Sequence, residues 1–95
     1  NTEKATVELG EELKIVESYL FIHKMRFADN LRYAIAVPTG ELEKQVVNQG
    51  LLTLVENALK HNECSREYPL TVRIEAAEGW VVVTNTLQRK NRLQT

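Results

Sequence analysis

Leu54-Val55-Glu56-Asn57-Ala58-Leu59-Lys60-His61-Asn62 is the stretch from which the organisation of this chain can be read. On a helical wheel at about 100° per residue, it and the residues before it split into two sides. Val47, Leu51, Leu54, Val55 and Ala58 fall on one side, while Thr53, Glu56, Asn57 and Lys60 share the opposing arc. The pattern predicts a helix from about Glu43 or Val46 to Asn62 with one buried face. Gly50 lies inside it at a cost of about 1 kcal/mol relative to alanine, which points to close packing or a local kink.

An acid, an amide and an amine one turn apart are neighbours on a helix surface. Such a set suits a nucleoside triphosphate. Glu56 and Asn57 offer hard oxygen ligands for a magnesium ion, and Lys60 offers a point charge for phosphate oxygens. The plainer alternative is a solvated face carrying an ordinary Glu56–Lys60 pair.

Upstream, Leu9, Leu13, Val16, Leu20 and Phe27 form one stripe, so a helix is expected from about Gly10 to Ala28. Glu11 and Glu12 sit in its first turn, where carboxylates suit the positive end of the helix dipole. Ile15, Tyr19, Ile22 and Met25 make a second apolar side, suited to being covered as well. His23 stands at the edge of the main stripe and reads as a core-boundary residue. After Asp29-Asn30, the alternation of Leu31, Tyr33, Ile35 and Val37 predicts a strand with one buried face, ended by Pro38-Thr39-Gly40.

Downstream, Leu70–Ala76 alternates again and Trp80–Asn85 is β-rich. With Ala77-Glu78-Gly79 between them, they read as an antiparallel hairpin. After Thr86 the chain turns polar with no clear period, and Arg89-Lys90-Asn91-Arg92 reads as a solvated tail. The expected order is helix, strand, helix, strand, strand: a mixed α/β layer.

With 95 residues, the chain makes at most one small domain, burying roughly 60–65% of its unfolded surface. A formal charge of −1 supplies no field for nucleic acid or anionic lipid. No apolar run approaches the ~20 residues of a membrane span, and there is no signal peptide pattern. Cys64 is the only cysteine, so no internal disulfide framework exists, and its place after a helix end reads as structurally incidental. Because the sequence begins at Asn1, it reads as an excised piece of something longer.

The string Leu54–Asn62 resembles the N box of the GHKL ATPases, the superfamily of gyrase, heat-shock chaperones, mismatch-repair ATPases and histidine kinases. Val7-Glu8-Leu9-Gly10-Glu11-Glu12-Leu13, Tyr19-Leu20 and Arg26-Phe27 resemble the stretch before the N box in sensor kinases of the LytS type. The resemblance covers about Val7 to Gln88. It implies a two-layer α/β (α+β) sandwich, with residues 1–95 forming a partial histidine-kinase ATP-binding domain. It also implies ATP and magnesium as ligands of the intact domain. Asn57 matches the asparagine that holds the magnesium ion bridging the phosphates. Glu56 is the adjacent acidic position, a proton acceptor or hydrogen-bond partner and the catalytic candidate. Lys60 and His61 match basic positions near the phosphates, and Thr53 joins them as a binding candidate.

Three departures accompany the resemblance. The Pro-Pro and Gln-Pro pairs that usually lead into the N box are missing from Val46-Val47-Asn48-Gln49-Gly50-Leu51-Leu52-Thr53. The family's Asp-x-Gly-x-Gly loop is matched only by Thr84-Asn85-Thr86-Leu87, with Asn85 at the position of the adenine-recognising aspartate. The glycine-rich lid and the phosphoacceptor histidine box are not in this stretch, and neither His23 nor His61 has the context of a phosphorylated residue.

The resemblance therefore implies a bacterial sensor histidine kinase as parent, the chain being a cytoplasmic portion of an inner-membrane sensor. The parent would pass the γ-phosphate to a histidine, normally across a homodimer, and signal to a response regulator; this piece alone is expected to be inactive. The rival is a degenerate, non-catalytic module kept for dimerisation or regulation. A missing half would also leave the inner layer of Leu51, Val55, Val72, Ile74, Val81 and Val83 uncovered, predicting self-association. The alternative outcome is a monomer whose tail folds back over the gap.

Overall fold

A computed structural model describes residues 5–86 and 90–94, with the backbone alone for 90–92. Thr6–Glu8 (β1) runs straight into the helix Leu9–Phe27 (α1), which buries Leu9, Leu13, Val16 and Leu20 as the stripe predicts. Phe27 is half-buried. Of the second apolar side, Tyr19 is half-buried against the core, while Ile15, Ile22 and Met25 are all more than half exposed. A single 3-10 turn, Ala28–Asn30, leads into Leu31–Ala36 (β2).

The connection after β2 departs from the expected long helix. Thr39–Glu41 forms a 3-10 turn, and Gln45–Val47 is a strand (β3) pairing antiparallel with β1 in the register Val7↔Val46. The β-branched pair Val46-Val47 prefers extended backbone. Burial of Val46 against the core then outweighs any extension of the helical pattern, and Val47, expected on the buried helix face, is 53% exposed. The ribbon is tied to the start of α1 by Leu9 N–H to Lys44 O (2.8 Å) and Gly10 N–H to Leu42 O (2.9 Å).

The second helix is therefore Gly50–Lys60 (α2), starting later than predicted, with Gln49 before it in the left-handed region at φ 64°. Gly50 is its first residue, not an interior one, so the interior penalty does not apply. The close-packing explanation does hold, because a Cβ at Gly50 would lie 2.9 Å from Leu93 Cδ2 and 3.3 Å from Val47 Cβ. Leu51, Val55 and Ala58 are buried, and Leu54 is half-buried.

Leu70–Ala77 (β4) and Trp80–Asn85 (β5) form the expected hairpin. Glu78 (φ 54°) and Gly79 (φ 84°) are the two left-handed residues of its tight turn, which matches the twist of the strands. The polar stretch expected as a tail instead contains a strand, Lys90–Gln94 (β6), antiparallel to β5 with Val81↔Leu93. Its ladder uses backbone groups, which need no apolar period. Arg89 lies outside the described residues.

The main sheet has the order β2-β4-β5-β6, with β2 and β4 parallel and the rest antiparallel. Parallel neighbours need a crossover, and here it carries α2. The two helices pack on one side of this sheet, against the alternating buried residues Leu70, Val72, Ile74, Ala76, Val81 and Val83. Tyr33, Ile35 and Val37 are only half-buried, because β2 is an edge strand. The fold is the expected two-layer α/β sandwich, with three short strands added to the predicted order. The six residues expected to lie uncovered are all fully buried, and β6 pairs along β5, so the inner layer and the β5 edge give no ground for self-association; this matches the alternative in which the tail folds back over the gap.

Candidate functional site

The start of α2 is held by a residue far away in sequence. Glu12 on α1 is 1% exposed, and its carboxylate accepts the backbone N–H of Gln49 (3.2 Å) and of Leu52 (3.1 Å). No side chain of α2's own N-cap residue does this. The first-turn carboxylate expected to serve α1's dipole therefore serves the neighbouring helix, satisfying donors that every helix start leaves open.

Held in this way, the second half of α2 faces the second half of α1 across an open cleft of about 480 Å³. It is lined by Glu56, Asn57, Leu59 and Lys60 on one wall and Tyr19, His23, Arg26 and Phe27 on the other. Glu56, Asn57 and Lys60 are exposed, as the wheel predicts. Among the described residues the ion pairs are Lys44–Glu41 and Arg73–Glu75. Glu56 and Lys60 form no ion pair, so of the plainer alternative the solvated face is present and the i,i+4 pair is not.

The α1 wall is aromatic. Tyr19 and His23 have ring centroids 4.2 Å apart, and His23 and Phe27 stack at 6.5 Å and 19°. The Arg26 guanidinium lies over the Phe27 ring, 5.3 Å from its centroid. His23 Nδ1 donates to the Tyr19 carbonyl at 2.9 Å, leaving its other ring nitrogen without the proton when the ring is neutral. The boundary reading of His23 fits its half-buried position, but the residue also lines the cleft. Burial, and then the nearby Glu56 carboxylate, push the Tyr19 phenol above its ordinary value.

The other candidates lie apart from these groups. The Thr53 hydroxyl donates to Gln49 O at 2.8 Å and is not among the lining residues. His61 closes α2, its N–H donating to Asn57 O, and is also outside the lining. Asn85 is 4% exposed at the end of β5, on the helix-facing side with Val81 and Val83, and does not line the cleft. Tyr19, Arg26 and Phe27 were missed as cleft residues, although Tyr19, His23 and Phe27 recur at i, i+4 and i+8, the spacing of one helix face.

Over 73 residues, 77% of this chain, the sequence is 37% identical to a protein of Staphylococcus epidermidis described as an uncharacterized sensor-like histidine kinase. Over 76 residues, 80% of the chain, it is 33% identical to the sensor protein kinase HptS of Staphylococcus aureus. This chain is similar to a segment of sensor histidine kinases. It spans 14% of the first relative's length and 15% of the second's. No family model matches the chain. Among the described residues, no helix is long and apolar enough to cross a membrane.

The donors on α2 are one carboxylate and one amide, Glu56 and Asn57. Among the described residues, no three histidine, cysteine or acidic side chains converge to hold an ion. Magnesium is commonly bound by one or two protein oxygens, with phosphates and water completing its octahedron. Glu56 and Asn57 can supply that much.

Proposed function

We propose that this chain is part of the ATP-binding catalytic region of a sensor histidine kinase, with α2 as its N box. The observation that carries the reading is the shared cleft of Glu56, Asn57 and Lys60, with Lys60 uncommitted to Glu56. Asn57 would hold magnesium through its amide oxygen, and Lys60 would hold phosphate oxygens. Glu56 would accept a proton or a hydrogen bond. Bound Mg-ATP supplies the phosphoryl group and the neutralising charge for its transfer. In the parent protein the acceptor would be a histidine, reached across a homodimer, with a response regulator as the next partner. The parent would be an inner-membrane sensor and this chain a cytoplasmic portion of it.

The experiment is Asn57→Ala in the full-length protein. Since Asn57 is exposed, the circular dichroism spectrum should not change, while autophosphorylation should be lost. Retained autophosphorylation would remove the assignment. The 95-residue chain by itself should bind Mg-ATP weakly or not at all.

The second reading, a degenerate kinase-like module for dimerisation or regulation, draws support from Asn85. The residue at the adenine-recognition position is an asparagine buried under the helices. A full-length protein that dimerises but takes up no Mg-ATP would favour this second reading.

A further inference from the structure

We propose that Arg26 is a second phosphate-binding residue of this cleft, facing Lys60 from the α1 wall, with the triphosphate of a magnesium-nucleotide as its ligand. The inference rests on the nucleotide reading above and adds a residue to it. Arg26 lines the same cleft as Glu56, Asn57 and Lys60, and among the described residues it forms no ion pair. Two cations against one carboxylate leave the cleft net positive, the sign a polyphosphate requires. A guanidinium is a planar fork that matches two phosphate oxygens at once, whereas Lys60 acts as a point charge.

The wall behind Arg26 is built to hold it. Its guanidinium lies over Phe27, and Phe27 stacks on His23, which packs on Tyr19 and is hydrogen-bonded back to the helix. A cation seated on a ring has fewer rotamers left to lose when a ligand arrives. The competing explanation is a solvated cation in the last turn of α1, complementing the negative end of the helix dipole. That role involves no ligand.

Calorimetric titration of the full-length protein with inorganic tripolyphosphate and magnesium separates the two. Arg26→Gln should weaken tripolyphosphate binding by roughly tenfold or more, with a parallel loss for Mg-ATP. Unchanged tripolyphosphate affinity in Arg26→Gln, alongside its loss in Lys60→Gln, overturns the proposal and leaves the nucleotide reading standing. A wild-type protein that takes up neither probe refutes the nucleotide reading itself, and the proposal with it. Arg26→Lys covers the case in which the glutamine variant does not fold. It keeps the stem and the charge but loses the fork, so it should bind roughly threefold or more weakly, and wild-type affinity in that variant overturns the two-pronged contact.

Discussion

The carboxylate of Glu12, in the first turn of α1, accepts the backbone N–H of Leu52, 40 positions along the chain, at 3.1 Å. The helix that carries Glu56, Asn57 and Lys60 is thus positioned by the other helix. Glu12→Gln exchanges one acceptor oxygen for an amide group facing backbone donors. Losing a charge-assisted bond and leaving a buried donor open should cost about 2 kcal/mol or more. For a domain of this size that is roughly a 10 °C drop in Tm, read from thermal denaturation followed by circular dichroism. An unchanged Tm would mean that Glu12 does not support α2.

Ala28 ends α1 at φ 54° and ψ −129°, a conformation glycine adopts far more readily than alanine. Lys24 holds the exit by donating to the carbonyls of Ala28 (3.2 Å) and Leu31 (2.7 Å). Relief of the strain outweighs the extra freedom glycine gives the unfolded chain, so Ala28→Gly should stabilise by about 1 kcal/mol. Urea denaturation gives the sign directly, and a lower midpoint would contradict the prediction.

At high pH two groups act in one direction. Cys64, whose thiol donates to Asn30 O at 3.2 Å, is pushed above its ordinary 9.0, chiefly by burial. Tyr19 is pushed above 10.0 by burial and then by Glu56. Each folded value exceeds the unfolded one, so the contribution is complete below the unfolded value and is lost as pH rises through the folded one. Stability should be level near neutrality and fall from about pH 9 upward. Cys64→Ser should remove the earlier part of the fall and Tyr19→Phe the later part. Denaturant midpoints measured across that range would test both, and a rise in stability would refute the sign.

Gly50 and Leu93 form a coupled pair. A methyl at Gly50 must displace the end of Leu93 and press on Val47 Cβ. Gly50→Ala should therefore destabilise by about 1 kcal/mol. The loss should shrink by at least roughly 0.5 kcal/mol when Leu93→Ala is already present. Strict additivity in that double-mutant cycle would show that the contact is relieved without cost.

What could be read in the sequence was whatever repeats at short range. The α1 stripe, the polar arc of α2 and the β4–β5 hairpin are each set by neighbours a few positions apart. The β1–β3 ribbon and β6 were not legible, because three to five residues carry too little pattern and their partners decide them. Glu12 looked like a local dipole effect, and only the packing of α1 on α2 turns it toward Leu52. The Tyr19–His23–Phe27 spacing was present in the sequence, but it acquires meaning only once α2 lies opposite. Thr53 read as part of the polar arc, and His61 and Asn85 as positions matching the family's motifs, yet none lines the cleft: Thr53 donates to the Gln49 carbonyl, His61 closes α2, and Asn85 is buried at the end of β5.

The first turn of α2 is bounded by Glu12, 38 positions before Gly50, and by Leu93, 43 positions after it. Contacts spanning so much sequence form slowly, because the loops between them must close first. The wall of the cleft that α2 carries is therefore complete no earlier than these two distant contacts.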